Sequence, residues 1–174
     1  MATVMLKTVT LKGEEVSISG ELPQVGMTAP DFKLVNSDLQ ECSLSDFSGK
    51  SLVLNIFPSI DTPVCQKAVS EFNRRIGAND TAVVLCISKD LPFAHKRFCG
   101  AEGVDNVVAL SSFRGDSFGT DYGIQITSGA LAGLFARAVV VIDQDGKVVH
   151  AELVPEIANE PDYGTVEELS LIHI

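Results

Sequence analysis

A lone cysteine, Cys65, closes the run N-I-F-P-S-I-D-T-P-V-C (residues 55–65), and no second cysteine stands two or three positions away. The pair Thr62-Pro63 just before it is a helix-start signal, because a threonine oxygen can accept a bond from a first-turn amide and proline fits the first helical position. The spacing therefore predicts a helix from Pro63 to about Ile76, with Cys65 in its first turn. A sulfur there meets unpaired backbone N–H groups and the positive end of the helix dipole, and both favour a thiolate over a thiol. That is how a cysteine becomes a nucleophile. A plainer role is also open: Cys65, Val69, Phe72 and Ile76 fall on one apolar face of such a helix, and a free cysteine commonly packs as a small hydrophobe.

Two more residues could share in chemistry. Arg137 lies in F-A-R-A-V-V-V-I-D, between Phe135, Ala136, Ala138 and Val139. A guanidinium is costly to bury there unless an anion meets it, and either a carboxylate or a thiolate would serve. Cys99 lies in R-F-C-G-A-E-G, just ahead of Gly100, a residue type that often ends helices. If D-L-P-F-A-H-K-R-F-C is a helix capped by Asp90, Cys99 sits at the negative end of its dipole, where a thiolate is disfavoured. The chain then holds one thiol suited to charge and one suited to neutrality. Cys86, inside A-V-V-L-C-I-S, reads as strand packing, Cys42 in Q-E-C-S-L has no evident role, and no histidine has an evident acid or base partner.

These residues need elements to hold them. Residues 3–19 alternate apolar and polar on both sides of Lys12-Gly13, the pattern of a β-hairpin. D-F-K-L-V-N and C-S-L are short strand candidates, and S-L-V-L-N-I-F (51–57) is apolar almost throughout, as a strand buried on both faces would be. After the Cys65 helix come a second buried strand in T-A-V-V-L-C-I-S, a helix from near Leu91, the strand V-V-A-L, a strand pair turning at Gln144-Asp145-Gly146, and a closing helix in P-D-Y-G-T-V-E-E-L-S-L-I. That order describes an α/β sandwich with a mixed sheet, in one domain spanning 1–174. The final S-L-I-H-I is apolar for a chain end and reads as truncated or foreign sequence.

Composition narrows the function classes. The chain has 174 residues, 45% of them apolar, with a net charge of −10 and a pI near 4.6. Its lysines and arginines form no run, which argues against nucleic acid as a partner. No apolar run reaches the roughly 18 residues of a membrane span and no export signal is visible, so a cytoplasmic protein is expected, with the periplasm left open. Four dispersed cysteines do not form a disulfide scaffold, and neither they nor His95, His150 and His173 have the close spacing of a zinc site. No cofactor is expected.

The wider stretch V-L-N-I-F-P-S-I-D-T-P-V-C resembles the P-x3-T-x2-C motif of the peroxiredoxins, in the form found in their thiol peroxidase subgroup, the atypical two-cysteine type. V-V-L-C-I-S-K-D-L-P-F-A-H-K-R-F-C-G-A-E-G, A-R-A-V-V-V-I-D and E-P-D-Y resemble the same subgroup in the same order, so the likeness runs from about residue 20 onward. It implies a thioredoxin-like fold with an N-terminal hairpin, and a peroxidase that reduces hydrogen peroxide and organic hydroperoxides with thioredoxin as reductant. Under it Cys65 is the peroxidatic cysteine, Thr62 hydrogen-bonds the thiolate and peroxide, Pro58 shields the sulfur, and Arg137 sits beside sulfur and peroxide. Cys99 is the resolving cysteine, forming a disulfide with Cys65 within one subunit. The resemblance further implies a homodimer, with residues 111–135 lining the approach to the site and helping to form the interface. A disulfide needs Cα atoms roughly 4.4 to 6.8 Å apart, so local rearrangement on oxidation is expected. A non-enzymatic redox relay is the alternative. A thioredoxin-type dithiol oxidoreductase would want C-x-x-C, which is absent here.

Overall fold

The computed structural model describes residues 7–172; the start of the expected hairpin (3–6) and the last two residues of S-L-I-H-I lie outside them. Strands β1 (Thr8–Leu11) and β2 (Glu14–Ser17) pair antiparallel. Lys12 and Gly13 turn between them with φ of 51° and 82°, the left-handed pair that a two-residue hairpin loop requires. Then follow β3 (Lys33–Val35), β4 (Glu41–Ser43) and a 3-10 turn at Leu44–Phe47. The rest alternates: β5 (Ser51–Ile56), α1 (Pro63–Arg75), β6 (Ala82–Ser88), α2 (Pro92–Glu102), β7 (Val108–Ser111), the short α3 (Ser117–Asp121), β8 (Ala138–Ile142), β9 (Val148–Leu153) and α4 (Tyr163–Ile172). The short 3-10 turn and α3 were not expected from the sequence.

The main sheet has the order β4-β3-β7-β6-β5-β8-β9. Strands β5, β6 and β7 run parallel, while β8 pairs antiparallel with β5 and β9 with β8. Every residue of β5 and β8 is buried, which explains why both are apolar, β5 apart from Ser51 and Asn55: both sheet faces are covered. Leu52, Leu54 and Ile56 face a core built with the hairpin, Phe118, Tyr122 and Phe135. Val53 and Phe57 face the other core, which Val69, Phe72 and Ile76 of the α1 region complete with Val84, Phe98 and Val166. Burying a side chain such as Phe72 stabilises by about 2 to 3 kcal/mol, and the expected apolar face Cys65, Val69, Phe72, Ile76 is fully inside.

Two helix ends differ from expectation. The N-cap of α2 is Leu91, and no side chain caps it; the carboxylate of Asp90 is engaged elsewhere. The helix also runs through Gly100 and stops at Gly103, whose φ of 64° is left-handed. Position 103 is where glycine is needed, because a side chain there would be strained.

Candidate active site

The parallel register of β5 and β6 brings the ends of both strands to one edge, where β5 leads to α1 and β6 to α2. Helix α1 opens with Pro63 at its first position, and its first internal bond runs from the Gln66 N–H to the Thr62 carbonyl at 3.0 Å. The amides of Val64 and Cys65 precede that bond, so the positive end of the helix is at the sulfur. Thr62 is the N-cap residue, yet its oxygen accepts no bond from the first turn. Its hydroxyl instead donates to the Ser59 carbonyl at 2.8 Å, which corrects the capping role expected for it. With its proton committed there, the oxygen keeps lone pairs with which to accept.

Arg137 enters by way of the sheet register. Ile56 at the end of β5 lies opposite Ala138, so the residue before β8 falls beside the loop that leads to Cys65. The residue is 2% exposed. Nε donates to the Ile157 carbonyl at 2.9 Å and Nη2 to the Cys65 sulfur at 3.3 Å, while Nη1 is buried without a partner. Among the described residues none of the ion pairs involves Arg137. Of the two anions open to it, carboxylate or thiolate, only sulfur is present. Cys65 itself is 0% exposed.

Above this pair lies a pocket of about 400 Å³ lined by Pro58, Ser59, Thr62 and Arg137, with Leu11, Leu131, Leu134 and Ile157 among its apolar walls. Three of the expected site residues thus meet at one pocket, with the fourth, Cys65, under the guanidinium. Of the stretch 111–135, Leu131 and Leu134 reach it, whereas Phe118 and Tyr122 pack into the core on the opposite sheet face. The hairpin's share, Leu11 and Lys12, was invisible in sequence. It is held by Glu156, which accepts from the Gly13 amide at 2.8 Å and from Thr10 Oγ1 at 3.2 Å.

Cys99 is not at the pocket. It is half-buried in the last turns of α2, at the margin of the core that contains Cys65. Burial pushes its thiol up from the ordinary value, so it is neutral near pH 7. All four cysteines are free thiols. In E-P-D-Y, Asp162 accepts from the Thr165 amide at 3.1 Å and opens α4, while Glu160 pairs with Lys67 at 3.2 Å and ties the segment to α1.

The sequence reading missed a polar cluster next to the site. The Asp90 carboxylate accepts from the Ile60 amide at 2.7 Å, from Ser59 Oγ at 2.8 Å and from Ser88 Oγ. His95 Nε2 lies 2.8 Å from Ser88 Oγ and 3.8 Å from the carboxylate. Burial pushes the Asp90 carboxyl up, but the nearby His95 ring and the bonds from Ser88, Ile60 and Ser59 outweigh that and hold it at about 2. No sequence signal marked the cluster beyond a serine, an aspartate and a histidine within eight residues.

A mixed thioredoxin-like sheet with a buried thiol on a helix N-terminus, met by a guanidinium, defines a cysteine-based redox protein. Comparison with known proteins agrees. The Redoxin family model matches residues 24–166. The chain is 58% identical over 155 residues to the "Thiol peroxidase" of Mycobacterium tuberculosis, covering 89% of this chain and 93% of that protein. It is 53% identical over 152 residues to that of Corynebacterium glutamicum, covering 87% and 92%. Among solved structures, a peroxiredoxin-like protein from Aquifex aeolicus superimposes with a TM-score of 0.91 at 40% identity, covering 98% of this chain and 99% of that one. The chain belongs to the redoxin family, in its thiol peroxidase branch.

Proposed function

We propose that this protein is a thiol-dependent peroxidase in which Cys65 reduces hydroperoxides. The observation that carries the assignment to Cys65 is the buried Arg137 guanidinium, which has a sulfur 3.3 Å away and, among the described residues, no carboxylate paired with it. The thiolate attacks the terminal oxygen of the peroxide and the O–O bond breaks: the sulfur keeps that oxygen as a sulfenate, which takes a proton from solvent to become sulfenic acid, while the peroxide's own proton passes to the other oxygen, which leaves as alcohol or water. Charge builds on the leaving oxygen, so a fixed donor aimed there lowers the barrier more than it stabilises the ground state. The free Nη1 of Arg137 is such a donor. Thr62 Oγ1 accepts from the peroxide hydroxyl, and Pro58 closes the pocket beside it. The apolar walls suit organic hydroperoxides as well as hydrogen peroxide.

Cys99 then attacks the sulfur of the sulfenic acid as it gives up its thiol proton; that proton leaves with the hydroxide as water, and a disulfide with Cys65 forms before further oxidation can intervene. A dithiol protein of the thioredoxin type reduces that bond to two thiols. Since Cys65 is 0% exposed, the first turn of α1 and the end of α2 must rearrange locally for the bond to form. The protein works as a homodimer in the cytoplasm; Leu91, Phe93 and Phe113, 52%, 65% and 42% exposed, offer apolar surface for the pairing, which sedimentation of the wild type and of Phe93→Asp tests.

Peptide mass mapping after one equivalent of hydroperoxide tests the roles. A Cys65–Cys99 crosslink is expected in the wild type and sulfenic acid on Cys65 in Cys99→Ser; any other pairing overturns them. A non-enzymatic relay would give a single stoichiometric burst with thioredoxin and its reductase, where the peroxidase gives sustained turnover.

A further inference from the structure

Asp90 occupies the junction between the two redox-active segments. It lies two residues past the end of β6 and two before the start of α2, the helix that carries Cys99. Its own backbone is pinned: the N–H donates to Ser88 Oγ at 3.2 Å and the carbonyl accepts from Ser111 Oγ. Its side chain reaches the other segment. Oδ1 takes the Ser59 hydroxyl and Oδ2 the Ile60 amide.

Ser59 is in turn the hub of the loop before Cys65. Its Oγ accepts from the Asp61 amide at 3.2 Å, and its carbonyl accepts from the Thr62 amide at 3.2 Å and the Thr62 hydroxyl at 2.8 Å. Ser59 and Thr62 both line the pocket over Arg137. Moving Ser59 therefore moves Thr62, the residue from which α1 and its sulfur are launched.

The carboxylate is itself held from behind. Ser88 has one hydroxyl proton, and Asp90 takes it, so the contact with His95 must have the ring Nε2–H donating to Ser88. That places His95 in the Nε2–H tautomer when neutral and leaves its buried Nδ1 without a partner. The ring packs edgewise on Phe57, centroids 6.5 Å apart, so it steadies Ser88 without reaching the pocket.

We propose that Asp90 is a positioning residue that clamps the loop of Pro58 to Thr62 to the root of the Cys99 helix and so sets the division between peroxide attack and disulfide formation. This rests on the reading of Cys65 as peroxidatic and Cys99 as resolving. With the clamp closed, the sulfur stays under Arg137 and meets peroxide in the pocket. For resolution the fully buried sulfur must come out, and the bonds from Ser59 and Ile60 to Asp90 are those that stand against that movement. An Asn at this position has one acceptor oxygen and a donor amide, so it cannot accept from Ser59, Ile60 and Ser88 together.

The test separates the two steps by rapid acid quench and intact mass after cumene hydroperoxide. In a Cys99→Ser background the gain of one oxygen reports attack; with Cys99 present the loss of two hydrogens reports resolution. Asp90→Asn is expected to slow attack about tenfold or more, in line with the cost of a misplaced reacting group, while resolution is unchanged or faster. Ser59→Ala should move attack in the same direction by a smaller factor, and it decides the matter where Asp90→Asn fails to fold. A general loss of stability would slow both steps together. Equal slowing of both steps, or attack at the wild-type rate in the folded variants, overturns the clamp. Absence of sulfenic acid on Cys65 in the Cys99→Ser protein with Asp90 intact would instead sink the underlying reading.

Discussion

Three of the four thiols border one apolar layer, yet only one of them meets both a cation and a helix start. Cys86, on β6, is buried and its thiol is pushed up to about 12, an amide from Asn55 at 3.7 Å only partly offsetting the burial. Cys99 is half-buried and also pushed up, by burial alone. Cys65 is as deep as Cys86, but a guanidinium donates to it and a helix begins at it. Depth is therefore not what separates these thiols; desolvation works against the charged form wherever it acts alone. A cation and a helix N-terminus set Cys65 apart from the other two sulfurs, and the proposed division into nucleophile and resolver rests on that difference.

Removing either side of that contrast tests it, and the effects on the first oxidation step rank clearly. Cys65→Ser should have the largest effect, a fall on the order of 10⁴-fold or more in kcat/KM for hydroperoxide, as for other lost nucleophiles. If Cys99 or Cys86 could substitute, the fall would be slight. Arg137→Ala comes next, at roughly 10² to 10³-fold, the usual size for one donor at a developing charge. Arg137→Lys should recover little of it, because a point charge cannot hold both the Ile157 carbonyl and the sulfur as the planar fork does. Cys99→Ser should leave the first oxidation within about twofold and stop turnover with thioredoxin after one cycle, as a resolver outside the pocket requires. A tenfold slower first oxidation in that variant would place Cys99 nearer the chemistry than its helix suggests.

The layout was legible because burial and periodicity are local. Strands β5 and β8 read as apolar runs, α1 as an apolar face behind a Thr-Pro start, and the hairpin as alternation about Lys12-Gly13; each is where the reading put it. The partner of Arg137 was not legible from its neighbours, since carboxylate and thiolate fit the same sequence; the family motif pointed to sulfur. The mistakes share a cause. Thr62 and Asp90 both stand where cap residues stand, but each found a better partner across space: Thr62 the Ser59 carbonyl, Asp90 the amide and hydroxyl of a loop thirty residues earlier. Between Gly100 and Gly103, composition cannot say which takes the left-handed turn, and a glycine inside a helix costs only about 1 kcal/mol. The hairpin's place at the pocket depends on Glu156, 143 residues from Gly13, a pairing that no local pattern contains.

The smallest expected effect lies between the two thiols, at Asp90, and it concerns stability against pH. Its carboxyl titrates at about 2 in the folded protein against an ordinary 3.8. A group whose folded value is depressed contributes stability that is complete above its unfolded value and fades as pH falls through the folded one. The gap in thermal stability between wild type and Asp90→Asn should therefore be constant from pH 7 to about 5, shrink below about 4, and be largely gone at about 2. Melting curves of both proteins across that range measure it. The comparison must be made as a difference, because other depressed carboxyls, Glu71, Glu156 and Asp162, titrate in both proteins and cancel. A gap that held undiminished to pH 2 would mean that the carboxylate's charge contributes nothing to holding the loop. The bonds to Ser59 and Ile60 would then act through shape alone, and the neutral Asn would fail by geometry rather than by its missing charge.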